Sequence, residues 1–268
     1  RLGISPFASS SAESIGLVSV RDRVRFRHPL VRSAVYTSAT SAERHAAHGA
    51  LAAVISKTDE PDRHVAHLVA ASTGPDESVA CELLAAATRA RARGGLAACA
   101  ELLEQAAALS PSRAQAAERL LEAAVASLGA GEPRRCAAML DRLDPTELDP
   151  LSRARARLVR AKCVGLSGER YAAAWMASEC LAAAVDAGTL DPEFTQAALA
   201  DACESLMLAD RLVRGTSPAA IAEVARSAPR TGDSVSAQLV EAFATISLDG
   251  YRAAIPAARR AVALLLDP

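Results

Sequence analysis

Three glycines that recur at a spacing of 37 residues constrain the fold of this chain more than any other feature of its sequence. Gly94, Gly131 and Gly168 are each followed by a short polar or small segment and then by an alanine-rich stretch. One additional helical stretch lies between successive glycines, at about 113–128 and 151–166. Two helices per roughly 35–40 residues around a turn glycine predict a solenoid of helical hairpins, because an alanine-rich pair needs stacked neighbours to bury a core.

The composition favours the same all-α architecture. Apolar residues make up 51% of the chain and aromatic residues only 3%, so alanine, leucine and valine have to build the core. Alanine and leucine are strong helix formers. Within this pattern, Thr40 begins a capping box that predicts a helix to about Ser56, and Asp62 is expected to cap the next helix. Pro256 lies one turn into the last helix and predicts either a later start or a kink.

Residues 16–28 alternate with a period of two and predict a β-hairpin with one buried face and one arginine face. The apolar face consists of Val18, Val20, Val24 and Phe26, and the other face carries Arg21, Arg23, Arg25 and Arg27. A short helix is expected after Pro29, which suits a first helical position. We therefore expect a first unit over residues 1–40 and a helical-repeat unit over residues 41–268.

The chain has no recognisable catalytic or nucleotide-binding pattern. A phosphate loop needs a GxxxxGK[ST] segment, and the two lysines, Lys57 and Lys162, lie in no such pattern. Hydrolase signatures such as GxSxG and HExxH are also absent. The formal net charge is −1, which makes no electrostatic case for nucleic-acid binding by the whole chain. We expect no catalytic residues, no enzymatic activity and no cofactor in this segment.

Histidines and cysteines are the candidate metal ligands. Two histidine pairs have helical spacing: His45 with His48, and His64 with His67. Together they could form a four-histidine metal site. Histidines at helix interfaces are the favoured interpretation, and we expect no metal. The six cysteines contain no CxxC pair, which favours reduced thiols in a cytoplasmic protein. Cys99 and Cys136 occupy equivalent repeat positions, as core residues would.

Two clusters are candidates for binding. The hairpin arginines could grip nucleic-acid phosphates, although a solvated face or a contact with another part of the same protein is favoured. One predicted turn is flanked by Tyr171, Trp175 and Met176, which could form the floor of a ligand pocket. Residues with this helical spacing are more often part of a hydrophobic core.

The segment 24–36, VRFRHPLVRSAVY, resembles the end of the winged-helix module in large ATP-binding LuxR-type transcriptional regulators of actinobacteria. These regulators belong to the signal-transducing ATPase (STAND) class, which includes the maltose regulator. Segments 41–48, 61–68 and 90–98 are also similar to that family, up to about Pro111. Beyond Pro111 the likeness is to degenerate tetratricopeptide (TPR) repeats, as in the turn at 168–171, so the expected solenoid is TPR-like.

In that family an amino-terminal ATPase domain binds ATP or ADP, and a winged-helix domain holds the ATPase domain in its inactive form. A helical arm senses a signal, and a carboxyl-terminal helix-turn-helix binds DNA. The resemblance implies that this chain is a cytoplasmic piece of a longer polypeptide, carrying the end of the winged helix and most of the arm. Its expected partners are its own ATPase and DNA-binding domains and an effector, either a small molecule or a protein. DNA would be reached only through the helix-turn-helix, and no membrane partner is expected.

The resemblance also assigns a role to His28. In related switch ATPases a Met-His-Asp motif places its histidine on the ADP β-phosphate, and His28 matches that histidine, with Pro29 in place of the aspartate. The alternative is a histidine that merely closes the hairpin.

For the chain as a whole, the alternative function is a protein-docking scaffold in a signalling kinase or another multidomain protein.

Overall fold

The computed structural model describes residues 5, 7–21, 24–166, 174–229, 232 and 234–266. In this part the chain is all-α apart from one small antiparallel sheet of two strands. The first elements are a short helix, the two strands and a ten-residue helix; they are α1 (Ser10–Ser14), β1 (Val18–Val20), β2 (Val24–Phe26) and α2 (Pro29–Ser38).

Twelve further α-helices follow in the described residues, and each of them packs against the next one along the chain. They are α3 (Ser41–Ala52), α4 (Pro61–Ala71), α5 (Glu77–Ala92), α6 (Leu96–Ala108), α7 (Arg113–Gly129), α8 (Pro133–Asp141), α9 (Pro150–Leu166), α10 (Met176–Ala187), α11 (Pro192–Ala209), α12 (Pro218–Ser227), α13 (Val235–Asp249) and α14 (Tyr251–Leu266). Two 3₁₀ turns, Pro145–Glu147 and Asp210–Leu212, lie between α8 and α9 and after α11.

The recurrent glycines form the same turn at both places where the structure describes them. Gly94 and Gly131 have φ values of +76° and +79°, which favour glycine because they lie in the left-handed region. After α5, the Gly95 N–H donates to the Ala90 carbonyl at 2.9 Å, and after α7, the Glu132 N–H donates to the Ser127 carbonyl at 3.0 Å. Both are Schellman motifs, which satisfy the last helix carbonyls. Gly168 lies outside the described residues.

Small side chains fill the core, as the composition predicts. The buried apolar residues are mostly alanine, and they form three clusters in succession along the chain. Helix α9 belongs to two of these clusters, with Val159 and Cys163 in one and Leu158 and Ala161 in the other. The middle and the carboxyl-terminal thirds of the chain therefore meet at α9.

The hairpin has the predicted strands, but its apolar face is not buried as expected. Val18 pairs with Phe26, and Val20 pairs with Val24. Val20 is nevertheless 43% exposed and Val24 59% exposed. The prediction of a buried face is wrong in the described structure, because the hairpin packs mainly on the short helices α1 and α2, which leave this face uncovered.

Two helix boundaries differ from the predictions, and a third excludes one of two predicted alternatives. Helix α3 ends at Ala52 and not near Ser56, whose hydroxyl accepts the Asp59 N–H at 3.1 Å in a separate turn. Pro61 occupies the first position of α4, so Asp62 is not the cap; its carboxylate instead binds Arg89 on α5, at 2.8 Å. Helix α14 begins at Tyr251 and continues through Pro256, so the later start is wrong.

Candidate functional site

Helix α9 presents one arginine-bearing face to a groove. Arg153, Arg157 and Arg160 are spaced by four and three residues, which places them on the same side of the helix. The neighbouring helices α8 and α10 pack on either side of α9. The face that carries the arginines is therefore framed by two other helices.

Two cavities adjoin along this face, and together we call them the α9 groove. A cavity of about 390 Å³ lies towards α10, and a cavity of about 500 Å³ lies towards α8. Arg157 and Arg160 line both. The first is otherwise lined by Ala161, Val164, Trp175, Met176 and Glu179, and the second by Leu140, Leu143, Pro145, Leu148, Pro150, Arg153, Ala156 and Asp186.

Two glycines make room for the large side chains at the α10 end of the groove. A Cβ atom added to Gly215 would lie 2.8 Å from Cζ3 of Trp175, and one added to Gly165 would collide with Sδ of Met176. The Arg214 N–H donates to the carbonyl of Ala174 at 2.8 Å, which holds the Gly215 segment beside α10. The Trp175 side chain is thus packed on one side, while the residue remains 53% exposed.

Acidic residues neutralise two of the three arginines in the groove. Arg157 pairs with Asp186 at 2.7 Å, and Arg160 pairs with Asp141 at 2.6 Å. Arg153 has no ion-pair partner among the described residues, and its guanidinium donates to the Leu148 carbonyl at 2.6 Å. The cavity beside Trp175 therefore offers mainly stacking and apolar contact, and Arg153 is a hydrogen-bond donor in the other cavity.

The three residues predicted to form a pocket have different outcomes. Trp175 and Met176 line the same cavity, whereas Tyr171 lies outside the described residues. Met176 also packs against a core cluster, so it is both a pocket-lining residue and a core residue. Sequence reasoning missed Gly165, Gly215 and the arginines of α9. Only the arginines gave a usable signal, because their spacing of four and three residues places them on one face of a helix.

Three of the four hairpin arginines lie in the described residues. Ser19 lies opposite Arg25 in the strand register. Arg21, Arg25 and Arg27 are exposed and have no ion-pair partner among the residues that the structure describes. Arg23 lies outside those residues. Contact with nucleic acid or with another domain therefore stays a prediction for this face.

His28 closes the hairpin by capping helix α2. Its Nδ1 accepts the Leu30 N–H at 3.1 Å, and its carbonyl accepts the Val31 N–H at 3.0 Å. Pro29 has no N–H, so the first turn of α2 offers a phosphate few unused donors. The predicted contact with the ADP phosphate would therefore depend mainly on Nε2 of His28, and it still rests on the resemblance alone.

The four helix-borne histidines do not converge on one point. Nδ1 of His48 lies 2.8 Å from Nδ1 of His67, and Nδ1 of His64 hydrogen-bonds the Ala52 carbonyl at 3.0 Å. His48 also contacts the hydroxyl of Tyr36, at 3.2 Å. These are contacts between helices, and the described residues contain no group of three or more potential metal ligands.

The cysteines contain one pair that the sequence analysis missed. Cys99 and Cys136 are buried, as predicted, but Sγ of Cys136 also lies 3.0 Å from Sγ of Cys163. A separation of 27 residues gives no motif, because helices α8 and α9 bring the two positions together. Burial raises the pKa of Cys180 and of Cys203 to about 12, which keeps those two as thiols.

Comparison with known proteins gives no family for this chain: no protein-family model, no curated protein and no solved structure matches it. Among the helices of the described residues, none combines the length and the apolar character needed to cross a membrane.

Proposed function

We propose that this chain is a regulatory binding module: a TPR-like solenoid that belongs to a LuxR-type ATP-binding transcriptional regulator of the STAND class. In this proposal the α9 groove binds an effector, a partner protein or the regulator's own ATPase domain, and the chain performs no catalysis itself. ATP and ADP would be bound by the ATPase domain, and DNA by a separate helix-turn-helix.

The solenoid part of the proposal is supported by repetition in both turns and packing. The Schellman turns at Gly94 and Gly131 are related by the 37-residue period. Every helix from α3 to α13 packs on the next described helix, and the core clusters follow one another along the chain. Such nearest-neighbour packing is the property that defines solenoid proteins.

The observation that carries the binding role is the position of Trp175. Its indole is packed beside Gly215 and yet lines an open cavity with Met176 and Arg157. An exposed tryptophan normally gains from burial, and a rigidly held one loses little conformational entropy when a ligand covers it. Aromatic side chains of this kind are enriched among the residues that dominate binding energies.

Residues 1–40 support the part of the proposal that concerns domain contacts. The hairpin exposes apolar residues such as Val24 on one face and arginines such as Arg25 on the other. Both faces are suited to packing against another domain, which in the proposed regulator is the ATPase. A protein-docking scaffold would use the same groove, so the neighbouring domains distinguish the two functions.

The reading frame around the coding segment tests the assignment to a regulator. We expect a GxxxxGK[ST] segment upstream and a helix-turn-helix downstream. A kinase domain upstream, or the absence of a phosphate loop from the complete polypeptide, would contradict the regulator and leave the groove to be explained by the scaffold alternative.

Fluorescence tests binding in the groove, because Trp175 is the only tryptophan in the chain. Cellular metabolites and the separately purified ATPase domain would be titrated while Trp175 emission is recorded. We expect a saturable change with one of them and at least a tenfold loss of affinity in Arg157→Ala. The matched control is Arg134→Ala, an exposed arginine on α8 outside the groove. Equal affinity in both variants would place the binding site elsewhere.

A further inference from the structure

Two buried thiols meet at the interface between α8 and α9. Cys136 is 0% exposed and Cys163 3% exposed, and their Sγ atoms are 3.0 Å apart. A disulfide bond has a length of about 2.05 Å, so the sulfur atoms need to approach by roughly 1 Å. The proposed binding function gives this pair no role.

The sulfur separation does not suit a shared metal ion. Two thiolates bound to zinc at about 2.3 Å in tetrahedral geometry lie roughly 3.7 Å apart. The observed 3.0 Å between Cys136 and Cys163 is clearly shorter. No group of three or more histidine, cysteine or acidic side chains that could hold a metal occurs within the described ranges. The geometry therefore favours a bond between the two sulfur atoms.

The surroundings favour the nucleophilic form of one thiol. The hydrogen bond between the two sulfur atoms lowers the pKa of Cys163 against the opposing effect of burial, and Arg160, although it is paired with Asp141, adds to the lowering. The same contact and burial raise the pKa of Cys136. We take Cys163 as the thiol that reacts first and Cys136 as the one that resolves the product; the disulfide that results is the same in either order.

A cavity lies close to the pair. Leu140 is four residues after Cys136, Arg160 is three residues before Cys163, and both line the 500 Å³ part of the α9 groove. The cavity wall is therefore within about one helical turn of each cysteine. A small neutral oxidant that reaches the groove has only a short distance to cover.

We propose that Cys136 and Cys163 form an intramolecular disulfide when the protein meets a hydroperoxide. The Cys163 thiolate attacks one peroxide oxygen, the O–O bond breaks, and the departing oxygen takes a proton to leave as an alcohol or, from hydrogen peroxide, as water. The Cys136 sulfur then attacks the Cys163 sulfenic acid; the S–O bond breaks, and water leaves with the Cys136 proton. Two thiols and one hydroperoxide give one disulfide, one alcohol and one water.

The disulfide would connect α8 to α9 across the turn Pro145–Glu147. Because these helices frame the 500 Å³ cavity, the bond would hold one wall of the α9 groove against the other. The site goes beyond the binding function proposed above and does not depend on it.

Peptide mapping of the intact chain tests the proposal directly. The reduced protein is treated with hydrogen peroxide, alkylated under denaturing conditions and digested with trypsin. Cleavage after Arg135 and Lys162 gives peptides 136–142 and 163–170, each with its cysteine first. We expect one linked species, about 2 Da lighter than the sum of the two thiol peptides, which disappears on reduction. The oxidised protein should also melt roughly 5 °C higher.

Variants identify the two sulfur atoms without depending on a single mutant. Cys163→Ser should abolish the link, and Cys99→Ser, a buried cysteine of the same core cluster, should leave it intact. Recovery of both wild-type peptides fully alkylated after oxidation would overturn the proposal. A link from Cys136 to Cys99 would overturn it as well.

Discussion

His48 and His67 share one hydrogen bond between their Nδ1 atoms, which are 2.8 Å apart. One of these nitrogens must carry a hydrogen and the other must not, so the bond requires at least one neutral ring. The Tyr36 hydroxyl lies 3.2 Å from Nε2 of His48, and the network therefore links α2, α3 and α4. It connects the hairpin unit to the first helices of the repeat region.

Acid is expected to destabilise this junction. Burial lowers the pKa of His67, and the positive charges of His48 and Arg63 add to the effect. A depressed histidine pKa means that the unfolded chain binds the proton more readily. The stabilisation is therefore complete above about pH 6.5 and is lost as the pH falls through the lower folded-state pKa.

Thermal unfolding measured from pH 7.5 to pH 5 should show Tm falling, with a shallower fall in His67→Gln. His45→Gln on α3 serves as the control, and a slope identical to wild type in His67→Gln would refute the prediction.

The repeat period predicted the helices well, because it depends on local signals. Turn glycines, capping residues and alanine-rich stretches each act within a few residues, and helices α7 and α9 lie close to their expected ranges of 113–128 and 151–166. Hairpin burial was not predictable in the same way, since alternation places Val24 on an apolar face but cannot tell what covers that face. Asp62 illustrates the same limit, because its partner Arg89 is 27 residues away.

The two leucines of α11 should differ strongly in their contribution to stability. Leu199 is 0% exposed in a core cluster, whereas Leu208 on the same helix is 75% exposed. Leu199→Ala removes packed atoms and leaves a cavity, so we expect a loss of about 3 kcal/mol. Leu208→Ala should change stability by less than about 0.5 kcal/mol. Urea unfolding followed by circular dichroism measures both, and comparable losses would show that α11 presents a different face to the core.

Asp210 adopts a conformation that suits glycine. It follows α11 with φ of +44°, and it is the only residue other than glycine with positive φ in the described residues. A left-handed backbone conformation destabilises a residue that has a Cβ atom by roughly 1–2 kcal/mol, and glycine would remove this strain. Part of the gain is lost, because glycine also increases the conformational entropy of the unfolded chain. Asp210→Gly should therefore stabilise the protein by about 1 kcal/mol in urea unfolding. Asp210→Ala keeps the Cβ atom and removes the charge, so an equal gain in that variant would identify the charge as the cause.

The candidate site was only partly accessible from the sequence. Trp175 and Met176 are adjacent, and their proximity at a turn was visible. Gly215 and Arg157 lie in other elements, 40 and 18 residues from Trp175, and only tertiary packing brings them beside it. Cys136 and Cys163 are hidden for the same reason, because spacing rules describe ligands on one loop or helix and not contacts between two helices.

The fit between Gly215 and Trp175 gives a direct optical prediction. An added Cβ would lie 2.8 Å from Cζ3 of the indole and 3.0 Å from Oγ of Ser178, so Gly215→Ala must displace the ring. Because the chain has no other tryptophan, emission reports on this position alone, and we expect a shift to longer wavelength as the indole becomes more exposed. Gly131→Ala is the matched control: Gly131 has a similar φ, +79° against +75°, but nothing within 4 Å of the added Cβ. Both variants should lose about 1 kcal/mol of stability from backbone strain, whereas only Gly215→Ala should change the emission spectrum. An unchanged spectrum in Gly215→Ala would mean that the indole does not pack on this glycine, and the α9 groove would lose the feature that holds its aromatic side chain in place.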